Sequence, residues 1–240
     1  MTYFQGFLVP AKSAEKRAYR DFAARTAPTF EDYGALRTVE CWGDNVPDGR
    51  RTDMKRAVQA QGDETIVFSW VEWPDRQTCD AAAEKMMNDE RLQFGETPVP
   101  FDMKRMIYGG FEVVEDTADG GRFGYVSGVV AAVPDDKRDA YVRHGDATAP
   151  LFKEKGALRV ASGWGVDVPD GKVTDFRRAV EAGPGTSVVF GWIEWPDKAT
   201  AEAAMGSLFE DPRMRELTPP WDGPTAIFGG FAPILDTGHQ

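Results

Sequence analysis

The chain has 240 residues, 42% of them hydrophobic and 12% aromatic, with a formal net charge of −11. That is apolar material enough for packed cores and excludes a disordered chain, while the acid excess repels phosphate backbones and anionic membrane surfaces, so neither nucleic acid nor membrane is an expected partner. No run of about 18 apolar residues occurs, and Cys41 and Cys79 are too few for a disulfide framework or a zinc site, so a cytoplasmic protein with no metal and no cofactor is expected.

Taken in order, the chain says nearly the same thing twice. Gly34-Ala35-Leu36-Arg37 returns as Gly156-Ala157-Leu158-Arg159, Val46-Pro47-Asp48-Gly49 as Val168-Pro169-Asp170-Gly171, and Trp73-Pro74-Asp75 as Trp195-Pro196-Asp197. Each copy opens with a short apolar strand, residues 3–9 and 125–131, then reaches Pro10 or Pro134 and a charged segment. A helix follows, because Tyr19, Phe22, Ala23, Thr26, Phe30 and Tyr33 gather on one face at helical spacing. Pro28 and its counterpart Pro150 should kink or interrupt it, and Gly34 and Gly156 should end it in a left-handed cap. His144 stands in the place of Phe22 on that apolar stripe and reads as a buried or half-buried structural histidine; His239 lies in the terminal tail.

The second strand spans residues 36–42, and the Pro-Asp-Gly turn after it begins a long polar excursion. The clearest strand is 66–73, matched by 188–195. In the second helix Cys79, Ala82, Ala83, Met86 and Met87 form an apolar stripe, repeated by Ala201, Ala204, Met205, Leu208 and Phe209, which makes Cys79 a small core residue. A proline-containing loop, shorter in the second copy, precedes the last strand, 106–114 and 226–235.

The order strand, helix, strand, strand, helix, strand is the βαββαβ pattern of a ferredoxin-like unit, an α+β arrangement with both helices on one face of an antiparallel sheet. Phe68 and Trp70 and their neighbours Val67 and Val71 are all apolar, so the other face needs a cover as well. A linker at 118–124 is too short to let units 1–117 and 125–240 drift apart, so the expected cover is the other copy's sheet, in a closed, pseudo-two-fold pair. Further homo-oligomerisation stays open.

Glu40-Cys41-Trp42, Val46-Pro47-Asp48-Gly49, residues 68–74 (Phe-Ser-Trp-Val-Glu-Trp-Pro) and 104–111 (Lys-Arg-Met-Ile-Tyr-Gly-Gly-Phe) resemble the YbaA-like proteins, domain of unknown function 1428, over essentially all of both copies. The resemblance implies a dimeric α+β barrel with both halves drawn from one chain, and it implies no particular activity. The second copy departs from the pattern: residues 104–108 become Pro224-Thr225-Ala226-Ile227-Phe228, Glu40-Cys41 becomes Ser162-Gly163, and Glu112 becomes Ala232.

Alternation assigns faces. Phe68, Trp70 and Glu72, with Phe190, Trp192 and Glu194, should face the partner sheet. Thr38, Glu40 and Trp42 should join them, opposite Val39 and Cys41; in the last strand Tyr108, Gly110 and Glu112 should point inward, with Ile107, Phe111 and Val113 on the helix side. That gathers Glu40, Glu72 and Glu112 among Trp42, Phe68, Trp70 and Tyr108, which together with Arg105 would suit a small polar or aromatic metabolite. Desolvated carboxyls there would have raised pKa values, which makes Glu72 a candidate for chemistry, and the Tyr108 hydroxyl could polarise a bound carbonyl. Against this, aromatics fill space between paired sheets, and a glutamate opposite Arg56 or Arg105 can be a satisfied ion pair. Arg37 and Arg159, or Arg56 and Arg178, could clamp a carboxylate, but their presence in both copies favours structural salt bridges. Three functions remain: a small-molecule binder, a cofactor-independent enzyme of monooxygenase or isomerase type by analogy of fold, and a structural or assembly module. The single surviving 104–108 set favours the first two.

Overall fold

Both halves follow the expected order, with short extra helices in the excursions. The first contains β1 (Tyr3–Lys12), α1 (Lys16–Asp32), β2 (Arg37–Asn45), α2 (Met54–Ala57), β3 (Glu64–Trp73), α3 (Arg76–Met86) and β4 (Ile107–Asp116). The second contains β5 (Tyr125–Pro134), α4 (Arg138–Glu154), β6 (Arg159–Asp167), α5 (Phe176–Ala179), β7 (Thr186–Trp195), α6 (Lys198–Glu210), α7 (Pro212–Glu216) and β8 (Ile227–Asp236). The computed structural model describes residues 1–95, 98–117 and 121–238; most of the proposed linker's first half and His239 lie outside them.

Local chemistry sets the helix ends. Asp75 and Asp197 cap α3 and α6, accepting from the backbone N–H of Thr78 and Thr200 at 2.7 and 2.8 Å. Gly34 and Gly156 close α1 and α4 at φ +102° and +97°, a conformation that a side chain resists. Of the kink or interruption expected at Pro28 and Pro150, the interruption does not occur, and both helices run through their proline. Each proline is exposed, and so are Ala24 and Asp146, whose carbonyls lose the missing bond and can turn to water instead.

The eight strands close into one barrel in the order β1-β3-β2-β8-β5-β7-β6-β4. Within each half the order is β4-β1-β3-β2 or its counterpart, and the halves join edge to edge through β2–β8 and β4–β6, both antiparallel and both bulged. Closure leaves no open sheet edge. Inside, the rings of the two halves interleave: Phe68 stacks on Phe190 and Trp70 on Trp192, each pair with centroids 4.5 Å apart. Gly6 and Gly128 make room for these rings, since a Cβ there would meet Phe190 at 2.8 Å and Phe68 at 2.6 Å. Met54 and Val58 with Phe176 and Val180 plug one end of the barrel, and Thr52 and Thr174 each donate across to the opposite half, to the carbonyls of Ala179 and Ala57 at 2.8 and 2.6 Å.

The expected faces hold for β3 and are inverted for β2 and β4. Directly opposed residues of an antiparallel pair share a face, and the registers are Val39↔Trp70 and Cys41↔Phe68, then Phe4↔Phe111 and Leu8↔Ile107. Val39, Cys41, Ile107 and Phe111 are therefore inside, while Glu40 and Trp42 lie under α1 and Tyr108 and Glu112 point outward. Among the described residues no helix is long and apolar enough to cross a membrane.

Candidate functional site: a buried charge layer and two clefts

At the barrel end opposite the Met54–Phe176 plug, β2 and β6 begin with Arg37 and Arg159, while β3 and β7 approach their ends with Glu72 and Glu194. Arg37 donates to Glu194 at 2.9 Å, to Asp236 at 2.8 and 3.0 Å, and to Glu72 at 3.4 Å. Arg159 donates to Glu72 at 2.7 Å and to Asp116 at 2.8 and 2.9 Å. The indoles of Trp70 and Trp192 donate to Glu72 and Glu194 at 3.0 and 3.2 Å. Phe123 lies over Arg37 at 5.3 Å, and the Met1 sulfur touches Arg159 at 3.8 Å, so the layer is sealed from outside. Burial opposes the charge of each guanidinium, but hydrogen bonds to Asp236 and Asp116 and the nearby glutamates outweigh it and hold both arginines cationic. Each arginine thus ties its own half to the other.

This geometry redistributes the eight expected ligand residues. Phe68, Trp70 and Glu72 do meet inside the barrel, but the rings fill it and both oxygens of Glu72 are engaged, so Glu72 is a satisfied ion-pair partner. Glu40 accepts from the Tyr19 hydroxyl at 3.0 Å and is pushed up to about 7 by desolvation, while Trp42 packs edge-on to Tyr19 at 5.8 Å. Glu112 pairs on the outside with Arg138 at 3.2 Å. Arg105 forks onto Glu64 with both bonds at 2.7 Å and onto Asp102 at 2.8 Å, pinning the loop that leads into β4. Tyr108 lies 45% exposed, stacked on Phe7 at 6.2 Å. Arg56 and Arg178 pair with Asp53 and Asp175 within their own turns, as structural salt bridges. His144 is half-buried and edge-on to Trp221 at 5.1 Å, with its pKa lowered by burial.

A second raised carboxyl escaped the sequence reading. Glu115 of β4 is opposite Ser162 of β6, where Ser162 takes the place that Glu40 has in the first half. Desolvation and the charge of Asp146 push it up to about 7. Each seam between the halves therefore covers one protonatable carboxyl beneath a helix tyrosine, Tyr19 or Tyr141. No motif signals this, because the compensating residues sit on different strands of different copies.

Two open clefts lie at the plugged end. A cleft of about 400 Å³ is lined by Met103, Lys104, Met106, Ile107 and Tyr108 at the start of β4 and by residues 169–175 of the second half. Its pseudo-equivalent, about 390 Å³, is lined by residues 47–50, Thr52 and Asp53 together with Gly223, Pro224, Ala226, Ile227 and Phe228. Tyr108, the sequence candidate, is thus in a cleft between the halves rather than in the barrel. Lys104 and Lys172 have no ion-pair partner among the described residues.

A family model described as "Protein of unknown function (DUF1428)" matches residues 2–103 and again 124–223. The chain belongs to the DUF1428 family. YbaA of Escherichia coli (strain K12) is 53% identical over 117 residues, 48% of this DUF1428 chain and 99% of the relative, and YbaA of Shigella flexneri matches to the same extent. One relative thus has the length of one half of this DUF1428 protein. Among solved structures, an anthrone oxidase-like protein superposes with a TM-score of 0.58 at 14% identity, covering 98% of this chain and 92% of the other. A monooxygenase-like protein of Lactobacillus acidophilus NCFM gives 0.55 at 11% identity, covering 100% and 98%. Both share the α+β barrel fold with this DUF1428 protein.

Proposed function

We propose that this protein binds a small polar or aromatic metabolite in the cleft at the start of β4, acting in the cytoplasm as an intramolecular pseudo-dimer of two ferredoxin-like repeats, 1–117 and 125–240. The observation that carries this is a difference between two pseudo-equivalent clefts. Where the first offers the Lys104 ammonium and the Tyr108 hydroxyl, the second has Pro224 and Phe228, so the fold itself requires neither polar group. The cleft's volume falls in the range of small-ligand sites, and exposed Tyr108 supplies a flat face with a polar tip. Lys104 and Lys172 favour a ligand with negative character.

A second reading, cofactor-independent chemistry of the monooxygenase or isomerase type, is favoured by Glu40, a carboxyl poised near neutrality against a tyrosine hydroxyl. Glu40 lines neither cleft, however, and a shared fold carries no activity, so binding is the better supported function. Thermal unfolding across a metabolite panel tests it. At saturating ligand the wild type should melt about 5 °C or more higher, and a Lys104→Ala/Tyr108→Phe variant should lose that shift while keeping its ligand-free melting temperature. An equal shift in the variant, or none in the wild type, contradicts the proposal.

A further inference from the structure

The cleft at the start of β8 has its own chemistry. Arg50 stands where the first cleft has Lys172, and it is exposed, with no ion-pair partner among the described residues. The acids beside it are already committed: Asp48 to Lys55 at 3.0 Å, and Asp53 to Arg56 at 3.3 Å and to the backbone N–H of Arg56 at 2.8 Å. An unmatched guanidinium therefore faces a cleft on a protein whose formal net charge is −11. The cleft is also lined by Phe228, 47% exposed, by Pro47 and Pro224, and by the buried Ala226 and Ile227. The Phe228 ring is flat and apolar and, unlike Tyr108, offers no hydroxyl.

We infer that this cleft is a second binding site, selective for an aryl carboxylate. The planar fork of Arg50 matches the two carboxylate oxygens, which a lysine in the same place could address only as a point charge. The aryl ring lies on Phe228, where ring stacking and apolar burial add to the charge-assisted bonds. A hydroxylated ring gains nothing from Phe228, so the two clefts of one chain divide apolar from hydroxyl-bearing ligands.

The probe is benzoate, titrated into the full-length protein and followed by two-dimensional amide NMR, with benzamide as the uncharged comparison. Benzoate should shift the amides of residues 48–53 and 225–228, and benzamide should not. Arg50→Gln, an exposed substitution, should weaken benzoate about tenfold or more, the loss expected of one charge-assisted pair. Phe228→Ala should also weaken it, while Tyr108→Phe should leave it unchanged. Benzoate shifts that survive Arg50→Gln undiminished, or no shift at residues 48–53 and 225–228, overturn the inference. Shifts confined to residues 104–108 would do so too, and would leave the first cleft's role standing.

Discussion

Glu40 and Glu115 show how a single residue can set a pH dependence. In an unfolded chain each carboxyl would titrate near its ordinary 4.5, whereas burial pushes both up to about 7 in the fold. Between those values the folded protein keeps a proton that the unfolded chain releases, so the stability present below pH 4.5 is lost as the pH rises through 7. Glu115 fits this picture from another side, since one of its oxygens is buried without a hydrogen-bond partner among the described residues, a tolerable state for a neutral carboxyl and a costly one for an anion. Glu40→Gln stays neutral at every pH. Denaturant unfolding at pH 5 and pH 8 should therefore show the variant gaining on the wild type by about 2 kcal/mol between the two, and parallel curves would contradict the assignment.

At the scale of elements, the strand faces are held by ring-into-gap contacts across the barrel. Gly128→Ala puts a methyl group 2.6 Å from the Phe68 ring, with Phe190 stacked behind it, so the ring has no free direction of retreat. Overpacking of this kind costs about 1–3 kcal/mol, which a thermal melt would register as a clear drop; an unchanged melt would mean that the barrel interior yields. Elements and their order were legible in the sequence because the apolar periods of α1 and β3 are strong and each had a second copy to confirm it. Faces were legible only where one side was plainly larger, as in β3. In β2 both Val39/Cys41 and Glu40/Trp42 could pass for an interior, and in β4 the large apolar Ile107 and Phe111 looked like residues for a helix to cover. Register decides such cases, and register depends on pairing partners that one strand does not name. The expected site dispersed for this reason, with Glu40 and Trp42 under a helix, Glu112 outside, and Tyr108 in a cleft.

For the whole molecule, the buried charge layer and the stacked rings make the same statement: each half supplies what the other lacks. Arg37 finds Glu194 and Asp236, Arg159 finds Glu72 and Asp116, and every one of these partners belongs to the opposite half. A buried ion layer of this kind adds little net stability when complete, yet removing one partner leaves an uncompensated charge in the interior, so it penalises any arrangement in which the halves separate. The sequence carried a trace of this in one arginine and one glutamate that recur in each copy; the distance between them along the chain concealed that they meet. The clefts depend on the same closure, because each takes one wall from each half. The most direct measurement is to divide the chain between residues 117 and 124 and follow the two fragments by sedimentation and circular dichroism. Mixed fragments should form a one-to-one complex with a single cooperative unfolding transition, and neither fragment alone should persist as an ordered monomer. Two fragments that each stay monomeric, fold cooperatively and ignore one another would contradict the account.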